Sequence, residues 1–166
     1  MKIVIVSDIH DNWARLDQVT NLIKKEKDVK TVICCGDVCA PLTIERMAKA
    51  LPNHKIYLVW GNVDGDHEND KKIAKEVGNV KIMGEVGELK LVGKKIAFCH
   101  RPDKAKELAK TKKYDVVFYG HTHKPWEENI GKTILLNPGE VTGFFYKPSF
   151  AIFDLSKMKA RLILLK

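Results

Sequence analysis

The chain has 166 residues, 45% of them hydrophobic and 30% charged, which is enough for one domain with a proper core and too little for two ordinary ones. No apolar run approaches the roughly 20 residues that span a bilayer, so the expectation is a single domain over residues 1–166 with no membrane partner. Lys and Arg total 29 against 21 Asp and Glu, a net charge of +8. Most of the lysines fall in mixed-sign stretches such as 24–30 and 104–113, which read as solvated helix faces, so nucleic acid is compatible with the charge but not favoured as a partner.

In chain order, Ile3-Val4-Ile5-Val6 is apolar at consecutive positions and reads as a strand buried on both faces. Trp13, Leu16, Val19, Leu22 and Ile23 follow at helical spacing, with Asp11 or Asn12 as N-cap. A strand at 31–35, a helix around 42–51, a strand at 55–60 and a weaker helix around 67–77 repeat the unit, giving a βαβαβα half with a parallel sheet. From residue 79 the pattern changes to hairpins, with Leu89–Val92 and Lys95–Phe98 flanking Gly93-Lys94. A short helix at 103–112 and a strand at 115–119 come next. Further strands are expected at 126–129, 132–136, 149–155 and 158–165, with turns at Ile130-Gly131 and Ser156-Lys157. The fold class is therefore α/β, a two-sheet β-sandwich flanked by helices.

Five of the apolar runs end on residues able to bind metal. Asp8-Ile9-His10 follows the first; Asp37 follows Thr31–Cys35, Asn62 follows Ile56–Trp60, His100 follows Ile96–Cys99, and His121 and His123 follow Val116–Tyr119. In open α/β sheets ligands bind outside the carboxyl ends of the strands, so these side chains can converge from distant parts of the chain. Asp8 and His10 are two apart in what reads as an extended segment, which points both the same way, and His121 and His123 repeat that spacing. Asp37 offers two oxygens and is the candidate bridge between two ions. The donor set is nitrogen and oxygen. With two divalent cations, Asp8 and Asp37 return only two of four charges, so the site should attract an anion such as a phosphate ester, with a hydroxide between the metals as nucleophile.

None of the four cysteines, Cys34, Cys35, Cys39 and Cys99, forms the C-x-x-C spacing of a zinc or redox motif. Buried reduced thiols are expected, with Cys39 the one candidate for exposure. The first eight residues lead directly into the first ligand, so a cleavable signal peptide would remove the site, and the expected location is cytoplasmic. His54 and His67 follow no strand and read as surface residues. Trp60 is assigned to core packing, whereas Trp126 and the Phe144-Phe145-Tyr146 run are available as an aromatic wall.

The order D-x-H, GD, GN, H and GHxH, carried here by Asp8 to His123, resembles the calcineurin-like metallophosphoesterases over residues 1 to about 155, and in particular their compact bacterial and archaeal phosphodiesterase branch. The resemblance implies one ion held at Asp8, His10, Asp37 and His123 and a second at Asp37, Asn62, His100 and His121, with Asp8, Asp37, Asn62 and His100 as the catalytic set. It implies two divalent transition-metal ions as cofactor, manganese first, with nickel, iron, cobalt or zinc as alternatives. It implies a small phosphodiester or nucleotide-type substrate. Many family members carry His after the Gly-Asn pair as proton donor to the leaving group; here Gly61-Asn62 is followed by Val63, which points to diesters rather than monoesters. Arg101-Pro102 stands where Gly-His is common. Arg101, Lys124 and Lys147 are candidate phosphate contacts, and Asn137-Pro138-Gly139 resembles a family loop beside the metals. Two alternatives follow from the same resemblance: a phosphomonoesterase, and a non-enzymatic scaffold like the retromer subunit that shares this fold. The sequence carries no signature of an oligomeric state.

Overall fold

The computed structural model describes residues Met1–Lys166 and is an α/β sandwich of two sheets with helices on both outer faces. The first sheet has the order β11-β10-β1-β2-β3-β4. Its strands are β1 (Lys2–Val6), β2 (Val29–Cys34), β3 (Lys55–Leu58), β4 (Val80–Ile82), β10 (Ser149–Asp154) and β11 (Lys159–Leu164). The second, in the order β5-β6-β7-β9-β8, is built from β5 (Val86–Leu91), β6 (Lys94–Cys99), β7 (Val116–Phe118), β8 (Trp126–Ile130) and β9 (Thr133–Asn137). Helices α1 (Trp13–Lys25), α2 (Pro41–Ala50) and α3 (His67–Val77) belong to the first half, and α4 (Pro102–Lys110) to the second.

The consecutive apolar positions in the central strands are explained by three layers of core. Val4 and Val6, Val32 and Cys34, and Ile56 and Leu58 face the helices α1–α3. Their neighbours Ile3, Ile5 and Ile33 turn the other way and meet Ile96, Phe98, Val116, Phe118 and Phe153 between the sheets. Ala97, Cys99, Val117 and Tyr119 complete a third layer with Ala105 and Ala109 of α4. Each inner strand thus needs apolar residues on both faces, which is why alternation is lost.

Several boundaries differ from the sequence reading. The hairpin between β5 and β6 turns at Val92-Gly93, with φ of 44° and 80°, one residue before the expected Gly93-Lys94. Both residues are left-handed, as a two-residue hairpin turn with the right twist requires. The same register effect moves the β8–β9 turn to Gly131-Lys132. Where hairpins were expected from residue 79, β4 instead adds in parallel beside β3. Its three residues are too few for a periodic signal. Helices α2 and α4 begin at Pro41 and Pro102, whose fixed φ and missing N–H suit the first helical turn. Asn12 is the N-cap of α1, accepting from Arg15 N at 3.2 Å. Asp11 reaches across to α2 instead, accepting from Ala40 N at 3.0 Å and Thr43 Oγ1 at 2.6 Å.

His54 is buried, with 8% of its surface exposed, and burial lowers its pKa, followed by the Lys30 charge. The surface assignment for it is therefore wrong, because the turn after α2 folds back onto the core. No helix is long and apolar enough to cross a membrane.

Candidate metal centre

The seven residues expected at strand ends all converge at the carboxyl end of β1, β2, β3, β6 and β7. Asp8 Oδ1 lies 3.9 Å from His10 Nε2 and 3.3 Å from His123 Nε2. Asp37 Oδ2 lies 3.6 Å from His10 Nε2 and 3.3 Å from His100 Nε2. Asn62 Oδ1 is 3.0 Å from His100 Nε2 and 2.8 Å from His121 Nδ1. Two groups suited to a cation result, Asp8–His10–His123 and Asp8–Asp37–His100, the ligand atoms of each lying within 4.8 Å of one another.

The backbone that achieves this is not the extended one assumed from the Asp-x-His spacing. Strand β1 ends at Val6, and Asp8 and His10 have φ of 55° and 47°. Asp37, His121 and His123 are also left-handed, at 54°, 69° and 61°. Five of the seven residues therefore sit in a region that costs a non-glycine residue on the order of 1 kcal/mol or more. The surrounding bonds hold them there. Asp8 N, Ile9 N and His10 N donate to Gly36 O and Asp37 O, stitching the first loop to the second. The two glycines before Asn62 and His121 are required by space: a Cβ at Gly61 would lie 2.0 Å from Asp37 Oδ1, and one at Gly120 would lie 1.9 Å from Ser7 Oγ.

The imidazoles are oriented from behind. His100 Nδ1 donates to Cys35 O at 2.8 Å, and His123 Nδ1 to Glu140 Oε2 at 2.7 Å. Both rings therefore turn Nε2 toward the carboxylates, in the manner of the outer-shell partners of metal-binding histidines. His10 Nε2 is buried with no hydrogen-bond partner, although two carboxylates stand within 4 Å. An unsatisfied buried nitrogen aimed at carboxylate oxygens fits a cation better than it fits empty space. Residues Asp8, His10, Asp37, Asn62, His100, His121 and His123 thus have the donor chemistry for divalent transition metals.

Burial raises the Asp8 carboxyl above its ordinary value, more than the charges of His100 and His123 lower it. Asp37 feels burial too, but the hydrogen bond and charge of His100, with Val63 N–H and His10, bring it below the usual range. His100 is the reciprocal case: burial acts downward, and Asp37 and Asp8 carry it upward. His121 is lowered by burial, then by the nearby His100 and Arg101. The thiols stay out of this set. Burial pushes Cys99 up to about 12 and Cys35 well above its ordinary value, and all four cysteines are free. Cys39 is half-buried, its Sγ 3.6 Å from His10 Nδ1.

Two carboxylates that hold the arrangement together were not singled out in the sequence. Asp64 accepts from Asp37 N, Gly61 N, Val38 N and Cys39 N at 2.7–2.9 Å, so one side chain ties the Asp37 loop to the Asn62 loop. Glu140, fully buried, accepts from His123 and from the N–H groups of Phe144, Phe145 and Tyr146. A Glu directly after Asn137-Pro138-Gly139 and between apolar runs was the available hint. The Asn137 loop does lie beside the centre, donating from Nδ2 to Gly120 O at 2.8 Å.

With this geometry in place, comparison with known proteins is decisive. The sequence profile of the calcineurin-like phosphoesterase superfamily domain matches residues 1–158. The chain belongs to the calcineurin-like phosphoesterase superfamily. A superfamily relative from Methanocaldococcus jannaschii, named as a phosphodiesterase, is 31% identical over 169 residues, covering all of both chains. The solved structure of a novel archaeal phosphodiesterase superposes with a TM-score of 0.90 at 31% identity, covering 99% of this chain and 100% of that one. Vps29 from Entamoeba histolytica, at 18% identity and a TM-score of 0.68 over the full length of both chains, shares the superfamily fold.

Among the other residues singled out, Arg101 is exposed and pairs with Asp103 at 3.4 Å. Lys124 lies over the Trp126 ring at 5.2 Å. Phe144 and Phe145 are 65% and 74% exposed, yet their rings approach His10 and His123 at 5.7 and 5.0 Å, so the aromatic loop walls one side of the centre. Trp60 departs from its core assignment. It packs against the helix-side core with one part and lines an open cleft with another.

Asp70 beneath Trp60 offers a test of local electrostatics. It is 1% exposed, its Oδ2 accepts from Trp60 Nε1 at 3.1 Å, and Oδ1 has no partner. Burial raises its pKa to about 6, against a smaller lowering by Trp60. The fold therefore holds this proton more tightly than the unfolded chain, so the stability from Asp70 is complete below about pH 4 and is lost as pH rises through about 6. Asp70→Asn keeps an acceptor for Trp60 and removes the charge. Denaturation midpoints of the variant should lose this fall between pH 4 and 7, whereas parallel profiles would assign the slope to other groups.

Proposed function

We propose that the protein is a metal-dependent phosphodiesterase that cleaves small or nucleotide-type phosphodiesters at a pair of divalent cations. The observation that carries this is the convergence of five strand ends on Asp37, whose Oδ2 stands within 3.6 Å of His10 and 3.3 Å of His100. The phosphodiesterase named among its full-length relatives supports it. Asp8, His10, Asp37 and His123 are assigned to one cation, and Asp37, Asn62, His100 and His121 to the other, with Asp37 between them. Asp8 also reaches the Asp37–His100 group and stays with the first cation on its closeness to His10 and His123.

When bound, two divalent cations supply Lewis acidity that lowers the pKa of water and positive charge that holds phosphoryl oxygens. The remaining work is done by the chain. Asp8 and Asp37 neutralise half of the four charges, so the centre keeps an attraction for a phosphodiester anion. Cys35 O and Glu140 orient His100 and His123 through Nδ1, which leaves both Nε2 atoms facing the position a cation would take. Manganese is the first candidate, with nickel, iron, cobalt and zinc compatible with the same donors. The domain is proposed to be single, since the layer between the sheets joins residues from Ile3 to Leu155, and a cytoplasmic setting is supported by four free cysteines.

Val63 is 43% exposed beside the centre and has no proton to give. Leaving alkoxides of monoesters depend on such a proton, which contributes about 10²–10⁴-fold. Wild-type protein should therefore turn over a diester well ahead of the monoester with the same unactivated leaving alcohol, and Val63→His should narrow the ratio about tenfold or more. An unchanged ratio in Val63→His would separate Val63 from the preference. The scaffold alternative rests on a likeness of fold alone, and the intact ligand set weighs against it.

A further inference from the structure

On the opposite side of the metal centre from Phe144 and Phe145 lies a cleft of about 430 Å³ that runs from Asn62 and His100 outward between the starts of α3 and α4. Its volume is within the ~300–1,000 Å³ of small-molecule sites. Its wall is an aromatic platform: the Trp60 and His67 rings stack at 3.7 Å between centroids and 13° between planes. His67 is exposed, so a ring face looks into solvent at the mouth of the cleft, while Asp70 holds the indole N–H of Trp60 from below.

The charges of the lining decide what can enter. Arg101 is paired with Asp103 at 3.4 Å, and Lys104 with Glu107 at 3.1 Å. Glu85 adds a further carboxylate, so the lining itself carries one negative charge in excess, with the Lys71 ammonium outside it over the Trp60 ring at 5.2 Å. A second phosphate is disfavoured there, whereas a neutral planar ring with N–H and O–H donors finds both a stacking face and acceptors.

We propose that this cleft seats one arm of the diester, and that this arm is an uncharged nucleoside stacked on the Trp60–His67 platform. The proposal rests on the phosphodiesterase reading for the orientation of that arm, with the phosphate at the metals and the nucleoside extending past Asn62 and His100. Base–aromatic stacking is sequence-tolerant, since every base has a π-face. The cleft therefore selects nucleosides as a class rather than one base.

The test uses adenosine, which has no phosphate for the metals to hold. Its binding is followed by the histidine resonances of the metal-free protein, and separately by inhibition of bis-p-nitrophenyl phosphate hydrolysis in the manganese-loaded protein. Adenosine should bind saturably, shift the His67 resonances and compete with the diester, whereas ribose should do neither. His67→Ala should weaken adenosine about tenfold, and His67→Phe, which keeps the stacking face without ring nitrogens, should restore it. No saturable binding of adenosine, equal binding to wild type and His67→Ala, or equal binding of ribose would each overturn the proposal. Absence of diester hydrolysis with adenosine binding intact would count against the phosphodiesterase reading and leave the nucleoside site standing.

Discussion

Asp37→Asn should abolish phosphodiester hydrolysis, by at least about 10³-fold, equivalent to ~4 kcal/mol of transition-state stabilisation. Asp37 Oδ2 lies 3.6 Å from His10 Nε2 and 3.3 Å from His100 Nε2 and is assigned to both cations, so replacing its carboxylate removes charge from both proposed positions together. The fold should be little affected. The amide retains an oxygen to accept from Val63 N, the bond Asp37 Oδ1 makes at 3.1 Å, and the substitution relieves repulsion with the nearby buried Asp8. Denaturation of the metal-free variant should fall within about 1 kcal/mol of wild type, and manganese titration should show both equivalents weakened. Loss of one equivalent with the other intact would remove Asp37 from the bridging position.

Glu140→Gln should lower metal affinity by about 10–100-fold although Glu140 is not among the proposed ligands. The carboxylate accepts four N–H groups and donates none. Burial acts to raise its pKa, but His123 and the three loop amides outweigh it, so it is held below the ordinary value and charged in the fold. An amide cannot satisfy this set. With its NH₂ in place of Oε2 it faces Phe144 N–H and donates to His123 Nδ1, which moves the ring proton to Nε2, the nitrogen aimed at Asp8. With its NH₂ in place of Oε1 it opposes Phe145 and Tyr146. Either arrangement leaves a buried donor unpaired, at about 1–3 kcal/mol. Manganese titration together with denaturation of the metal-free variant measures both effects. Affinity within twofold of wild type would show that the His123 tautomer is set by something other than Glu140.

The convergence of the seven candidate ligands was legible because each follows a run that is apolar on both faces, and such runs stand out against the mixed-charge helices. The two-sheet architecture was legible for the same reason. What the pattern hid was anything carried by backbone turns or by lone polar residues. Asp8 and His10 come together through left-handed φ values, whereas the spacing suggested an extended pair, and the outcome agreed although its geometry did not. Asp64 and Glu140 are single carboxylates in loops, and their roles come from backbone donors brought in by tertiary folding. Strand β4 is three residues long, and the turn positions shifted by one because hairpin register depends on φ at two residues. Trp60 and His54 went the other way, since an aromatic after a strand and a histidine in a turn have burial set by the neighbouring helices.

Hydrolysis of bis-p-nitrophenyl phosphate by metal-stripped protein, with and without added manganese, tests the central claim most directly. Turnover that is absent without metal, appears with manganese and is lost in Asp37→Asn is the result expected of a two-cation phosphodiesterase. No turnover with manganese, nickel, iron, cobalt or zinc, in protein whose fold is intact, would contradict it and favour a protein-binding role for this fold.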